Sequence, residues 1–445
     1  MKRIWLLFAV MLLLGCTATQ RPGTSGETVT PPGTSDGTVT LPGVIAYIHG
    51  GDLWVKPLDG EARRLTDAGG FNSPSFSHSG DWILVRRNNE LWTVRTDGSA
   101  LRQLPVAGQS VLAAWSPAND RLAYRVADRI DVVTPGVGVG VGVGVGVIEP
   151  GGKGNKVLVS LAPGSHVTRL AWSPDGKWIG YDLNPGGPGI PTGPASLMKV
   201  PVDGGTPQAV YAIQSDKPQC LIMAGWMPDG QALLFWPQPL CSGSLLADGT
   251  MLMTVPAAGR TPRKLVGAML THPDFLAASR DGAIAVASGA GRVAWTSKAI
   301  AVVPAGGPEA VRITPADVAA ISPAWSPDGR RLAYSAMPDA GMSISGGDQA
   351  RKALTGRRIW VANAAGTGAR ALTTDEGFRD EAPRFTSDGR LLFVRLTPAN
   401  TAALWLVPAD GGRPAQLVEI DSPGEWFGFY GWIDWSEKFA FQPGL

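Results

Sequence analysis

One hexapeptide constrains this chain more than any other feature. Ala171-Trp172-Ser173-Pro174-Asp175-Gly176 returns almost unchanged as Ala324-Trp325-Ser326-Pro327-Asp328-Gly329. Weaker copies stand at 76–80, 115–119, 226–230, 278–282 and 385–389, and a degraded one at 432–436. Phe76 and Trp432, which open the first and last copies, lie 356 residues and seven steps apart, about 51 residues per step. Such a period belongs to stacked or ring-forming repeats.

The phrase has a backbone meaning. Pro sets φ for the second turn position, Asp tolerates the third, and Gly takes the left-handed angle that follows. It is therefore a tight turn between two strands, the second exemplified by Leu332-Ala333-Tyr334. A third strand carries an aliphatic-Trp pair, as in Leu53-Trp54, Leu91-Trp92, Ile359-Trp360 and Leu404-Trp405. A turn such as Asp59-Gly60, Asp97-Gly98, Asp203-Gly204 or Asp410-Gly411 follows, then a fourth strand reading Arg64-Leu65-Thr66 or Ala371-Leu372-Thr373. Four antiparallel strands per repeat make the chain all-β, a β-propeller of four-stranded blades. Composition agrees: 58 Gly and 37 Pro exclude a helical bundle, while 16 Trp and 44% hydrophobic residues can bury a large core.

The strand count sets the blade number. Residues 44–66 supply the second, third and fourth strands of a blade that lacks its first, and a lone first strand is expected at 431–435. Pairing the two closes the ring without exposed edges and gives eight blades, with seven as the alternative count. The segment 439–441 has no place in that scheme.

These phrases resemble the TolB-type propeller repeat, which also builds the propeller domains of prolyl-oligopeptidase-like enzymes. The resemblance covers nearly all of the chain after residue 43. It implies the fold and leaves the activity open, because propellers serve many roles. A peptidase of that kind would need a hydrolase domain with Ser, Asp and His, for which the repeats leave no room.

The first residues read as a targeting segment. Lys2 and Arg3 precede an apolar run from Ile4 to Leu14, too short to span a membrane. Leu13-Leu14-Gly15-Cys16 resembles the bacterial lipobox, in which the Cys is acylated. We therefore expect a lipoprotein signal peptide at 1–15, lipidation of Cys16, a flexible Thr/Gly/Pro/Ser tether at 16–42 and the propeller at 43–445. The protein would sit in the cell envelope, on the periplasmic or outer-surface side of a membrane. Loss of residues 1–15 leaves 37 Lys+Arg against 37 Asp+Glu, so no global field favours nucleic acid.

Candidate chemistry is sparse. Cys220 and Cys241 flank the turn at Asp229-Gly230 almost symmetrically, so antiparallel pairing would set them opposite one another as a disulfide. The Val-Gly alternation at 137–147 is expected to protrude between a third and a fourth strand. His49, His78, His166 and His272 show no metal-ligand spacing, and Asp175, Asp229, Asp281, Asp328 and Asp388 read as turn formers. No catalytic residue, metal or cofactor is assigned. Inserts at 184–196, 238–250 and 338–357 share one face with the connections between blades. Two of those connections carry the candidate binding residues Asp375, Glu376, Phe378, Arg379, Asp380, Glu381, Glu425, Trp426, Phe427 and Tyr430. The expectation is a scaffold for a protein or peptide partner. Alternatives are a propeller enzyme acting on polysaccharide or peptide, and an accessory subunit presenting substrate to another exported enzyme.

Overall fold

The computed structural model describes residues 43–444, apart from 107–108, 128–143, 188–189, 215–218, 240–247 and 342–346. The signal, the tether, Cys16 and Cys241 lie outside the described residues. The rest forms eight antiparallel blades in chain order, four-stranded except blade 4, whose sheet adds the short strands Ser165–His166 and Ile190–Pro191. Blade 1 takes Phe439–Pro443 as its first strand and continues with Gly43–His49, Asp52–Pro57 and Arg63–Arg64. The first strands of blades 2 to 8 contain or end in Phe71–Phe76, Gln109–Trp115, Leu170–Trp172, Gln219–Trp226, Leu276–Ala278, Val318–Trp325 and Arg379–Phe385. Blades 5 and 6 share one continuous sheet through the pair Met269 and Ser288.

Buried apolar seams between blades form the core. Ile48, Leu53 and Val55 of blade 1 meet Phe71, Ile83 and Val85 of blade 2. Ile359 and Val361 of blade 7 meet Phe385, Leu391 and Phe393 of blade 8. Leu404 and Leu406 of blade 8 then pack with Ile45 and Tyr47 of blade 1, which makes the row of blades a ring. This pattern follows from the period of two along each strand: alternate residues face opposite neighbours, so both faces of a blade must be apolar.

The turn phrase works as its residue types imply. Ser173 Oγ donates to Asp175 Oδ1 at 2.6 Å, Asp175 Oδ1 accepts from Lys177 N at 3.1 Å, and Gly176 sits at φ +68°. Ser326, Asp328 and Arg330 repeat the arrangement. Trp has a different task. Trp115, Trp172, Trp226 and Trp325 each donate the indole N–H to a backbone carbonyl in the first strand of the preceding blade: Ser75, Ala114, Ala171 and Ala277, at 2.9–3.1 Å. Where the repeat reads Phe76, Ala278 or Phe385, this staple cannot form.

Two expectations need correction. The closing strand is Phe439–Pro443, with Ala46 opposite Ala440, and not 431–435. Asp434 Oδ1 accepts from Ser436 N at 3.0 Å and caps a short 3-10 turn, Trp435–Glu437, so the degraded phrase starts a helical turn where other copies make a hairpin. The Val-Gly run does not simply protrude between strands either. Its end, Gly144–Ile148, is the third strand of blade 3 itself. Val145 and Val147 are buried there, while a Cβ on Gly146 would lie 2.5 Å from the Tyr124 ring.

Candidate functional site at the channel axis

The blades direct charged side chains toward the ring axis. Nine residues after the turn serine, the second strand places Arg86 in blade 2 (from Ser77), Arg125 in blade 3 (from Ser116), Asp182 in blade 4 (from Ser173) and Ser335 in blade 7 (from Ser326). First strands and their approaches add Arg169 in blade 4, His272 and Asp274 in blade 6 and Arg384 in blade 8. The field of Asp274 and Asp434 acts on Arg169, and that of Arg384 acts on Asp274. Blades 4, 6 and 8 are not neighbours in the ring, so these groups can meet only at its axis.

The acids are held in distinct ways. Asp182 is fully buried and accepts from Thr168 N (2.6 Å), Arg169 N (3.0 Å), Met223 N (2.9 Å) and Asn184 Nδ2 (3.1 Å), which ties blade 4 to blade 5. Burial nonetheless pushes its carboxyl above the ordinary range. Burial, reinforced by Asp434, also raises Asp274 against the pull of Arg384 and His272. For Asp434 burial works the same way, but hydrogen bonding to His272 and Ser436 outweighs it and holds the carboxyl low. His272 Nδ1 accepts from Asp274 N at 3.2 Å, so its Nε2, 3.6 Å from Asp434 Oδ2, carries the proton when the ring is neutral. Trp432 covers the imidazole with ring centroids 4.3 Å apart.

The cations are less well matched. Arg86 reaches Asn89 Oδ1 at 3.5 Å, and Arg384 donates to the Pro383 carbonyl at 2.9 Å. Arg125 Nε is buried with no hydrogen-bond partner, and the Arg169 guanidinium makes no ion pair or hydrogen bond among the described residues. Burial lowers the pKa of Arg125, and nearby Arg169 and Arg86 add to the effect while Asp182 opposes it.

The segment between blade 8 and the closing strand packs against blades 6, 7 and 8. Glu381 is buried between Arg357 and Arg379; its Oε1 accepts from both, and its Oε2 accepts from Trp435 Nε1 at 2.8 Å. Arg379 donates to the carbonyls of Trp426 and Gly431 at 2.7 and 2.8 Å, and Arg357 donates to those of Gly431 and Ala294 at 2.7 and 2.9 Å. These bonds clamp the tail onto blades 6, 7 and 8. Phe427 packs on Trp295, Tyr430 lies under Arg292, and Phe429 at the tip is 57% exposed.

The expected binding residues therefore divide. Asp375, Glu376, Glu425, Phe427 and Tyr430 lie on connecting segments, with Glu376 and Glu425 exposed. Asp375 pairs with Arg395 at 2.6 Å, and Phe378 lies under that guanidinium. Arg379, Asp380 and Glu381 were expected on a loop. They are instead the buried start of a first strand, where Asp380 pairs with its cross-strand neighbour Arg395 at 2.8 and 2.9 Å. Trp426 is buried as well, its indole N–H on the Thr397 carbonyl. Arg379, Glu381 and Trp426 hold the tail, while Asp380 ties its strand to Arg395. Cys220, buried on the first strand of blade 5, is disulfide-bonded, while Cys241 lies outside the described residues. The repeated Asp residues stay within their own turns, and no group of three or more His, Cys, Asp or Glu closes on a metal position among the described residues. Arg86, Arg125, Arg169, Arg384, Asp274 and Asp434 were not singled out from the sequence. Reading the repeats in register would have aligned the first two with Asp182, nine residues past the turn serine.

The chain is thus a β-propeller of eight blades closed by its own tail. No protein-family model matches the sequence, and no curated protein matches it. Solved structures do. It is similar to a prolyl endopeptidase (TM-score 0.53, 13% identity, 80% of this chain and 50% of the other). It is also similar to dipeptidyl peptidase 4 of Porphyromonas gingivalis (TM-score 0.57, 11% identity, 84% and 57%). A putative TolB of Agrobacterium tumefaciens aligns over 85% of this chain and 89% of its own, at 13% identity and a TM-score of 0.34. The chain spans about half the length of the two peptidases, and at these identities the likeness shows the fold alone.

Proposed function

We propose that this protein is an exported, lipid-anchored scaffold of the cell envelope. In this reading Cys16 carries the anchor, residues 16–42 the tether, and the channel mouth the binding face for a protein or peptide segment. One observation carries it: charged groups from five blades converge on the axis, and two of the guanidiniums there have no acid in contact among the described residues. Rigid blades bearing an under-compensated polar cluster beside an exposed aromatic tip fit a recognition surface better than a closed core. Photo-crosslinking tests this reading. A benzophenone amino acid at Phe429 on the mouth, or at Val311 on the outer edge of blade 6, is introduced into the full-length protein in its native cell. Partner adducts at position 429 and none at 311 are expected; adducts at 311 alone, or at neither, overturn the reading.

A second reading, a propeller enzyme on polysaccharide or peptide, draws on Asp274 and Asp434. Their carboxyls are pushed in opposite directions beside His272, as a general acid and its ionised partner must be. Hydrolysis abolished by Asp434→Asn, with partner adducts unchanged, would favour it.

A further inference from the structure

We infer that the seam between blades 3 and 4 holds a binding site for a carboxylate, formed at the axis by the guanidiniums of Arg125 and Arg169. The inference rests on the mouth being the binding face and deepens that reading by naming the recognised group.

Equivalent positions in successive blades make the argument. At the seam between blades 4 and 5, the position nine residues past the turn serine is Asp182. Its carboxylate is seated between the two first strands, on Thr168 N, Arg169 N and Met223 N. The seam thus surrounds the side chain at this position with donors from both blades. One blade earlier the same position is Arg125, which can only donate. The next blade's inner strand presents another donor there, Arg169. The seam therefore carries donor side chains on both sides, and among the described residues no acid pairs with either, the reverse polarity of its neighbour. Arg125 Nε is buried and unpartnered, and no acid lies within ion-pairing distance of either guanidinium among the described residues.

Two like charges held together near an axis repel each other, at a cost to stability. A bound anion resolves the repulsion, and a guanidinium fork matches a planar carboxylate with two parallel hydrogen bonds. The neighbouring acids choose between anions. Asp182, Asp274 and Asp434 all act on Arg169, so a singly charged carboxylate is tolerated where a doubly charged phosphate is repelled. A peptide segment would supply the group as its C-terminus or as an acidic side chain.

The test is arginine modification by phenylglyoxal on the full chain, mapped by mass spectrometry, in sodium acetate, sodium chloride or sodium phosphate at matched ionic strength. Acetate is expected to slow modification of Arg125 and Arg169 roughly threefold relative to chloride, as substantial site occupancy requires. Exposed Arg413 should react alike in all three salts. Arg169→Gln should abolish the protection of Arg125. Equal rates in acetate and chloride, or protection of Arg413 to the same degree, would overturn the site, and stronger protection by phosphate would overturn its assignment to a carboxylate. Should the variant not fold, the wild-type comparison decides alone. Acetate protection without partner adducts at Phe429 would refute the scaffold reading while leaving the site; adducts without protection would do the reverse.

Discussion

Replacing Glu381 by Gln changes one atom and removes the anion that two buried guanidiniums share. Glu381, Arg357 and Arg379 are each at most 2% exposed, so solvent screens none of them. Breaking a buried pair by neutralising one partner costs about 3–5 kcal/mol, because the remaining charge stays buried. Here two guanidiniums stay. An unfolding entropy of about 0.8 kcal/mol/K for the roughly 365 described residues turns that cost into a melting point lower by about 4–6 °C. The loss should be specific to the clamp: the carbonyls of Trp426 and Gly431 keep their donors, but Trp435 loses its anionic acceptor, so the tail loosens first. A pH series adds a second check. Burial opposes ionisation of Glu381, but Arg379, Arg357 and the Trp435 N–H outweigh it and hold the carboxyl below its ordinary value of 4.5. A lowered carboxyl stabilises the fold above the unfolded value and loses that contribution as pH falls through the folded one. The gap between wild type and Glu381→Gln should therefore be full at pH 7 and shrink below about pH 4.5. Calorimetry of both proteins from pH 3 to pH 7 measures it. A variant melting within about 1 °C of wild type at pH 7 would refute the reasoning.

Other outcomes follow from single residues. Trp172→Phe keeps the ring but removes the indole N–H that satisfies the Ala114 carbonyl; a loss of about 1 kcal/mol is expected in denaturant titration, and Phe385→Leu, at a position with no staple to lose, should show only the packing cost of a smaller ring. Lys298 is 1% exposed, and burial pushes its ammonium down to about 8. A base held low is penalised below the folded value and relieved as pH rises toward the unfolded one near 10.4. Stability should therefore climb between pH 8 and pH 10, and the climb should vanish in Lys298→Met; an unchanged climb in the variant would assign it to other groups.

The fold was legible where residue type answers to a backbone requirement. Pro-Asp-Gly admits few conformations, so Ser173 to Gly176 and Ser326 to Gly329 marked the turns, and the strands between them followed. The closing strand was misplaced because Asp434 and Ser436 imitate the turn phrase while capping a 3-10 turn. Only the pairing partner of Gly43–His49 distinguishes 431–435 from Phe439–Pro443. The clamp was misread for a related reason: Arg379-Asp380-Glu381 has the composition of a loop, and only cross-strand Arg395 and the incoming tail make it buried. The axial cluster was least legible. Its members come from five blades and the tail, each looks like an isolated charge in its own segment, and their meeting is a consequence of closure.

Closure is thus the claim on which the site depends, and one disulfide tests it. Ala46 and Ala440 face each other across the closing pair, within the Cα separation a disulfide spans. With both changed to Cys and the protein gently oxidised, peptide mapping should recover a cross-linked peptide joining residues 46 and 440, with the melting point unchanged or raised. Both introduced thiols remaining open to alkylation in the folded protein would contradict the closed ring and, with it, the convergence of charges at the axis.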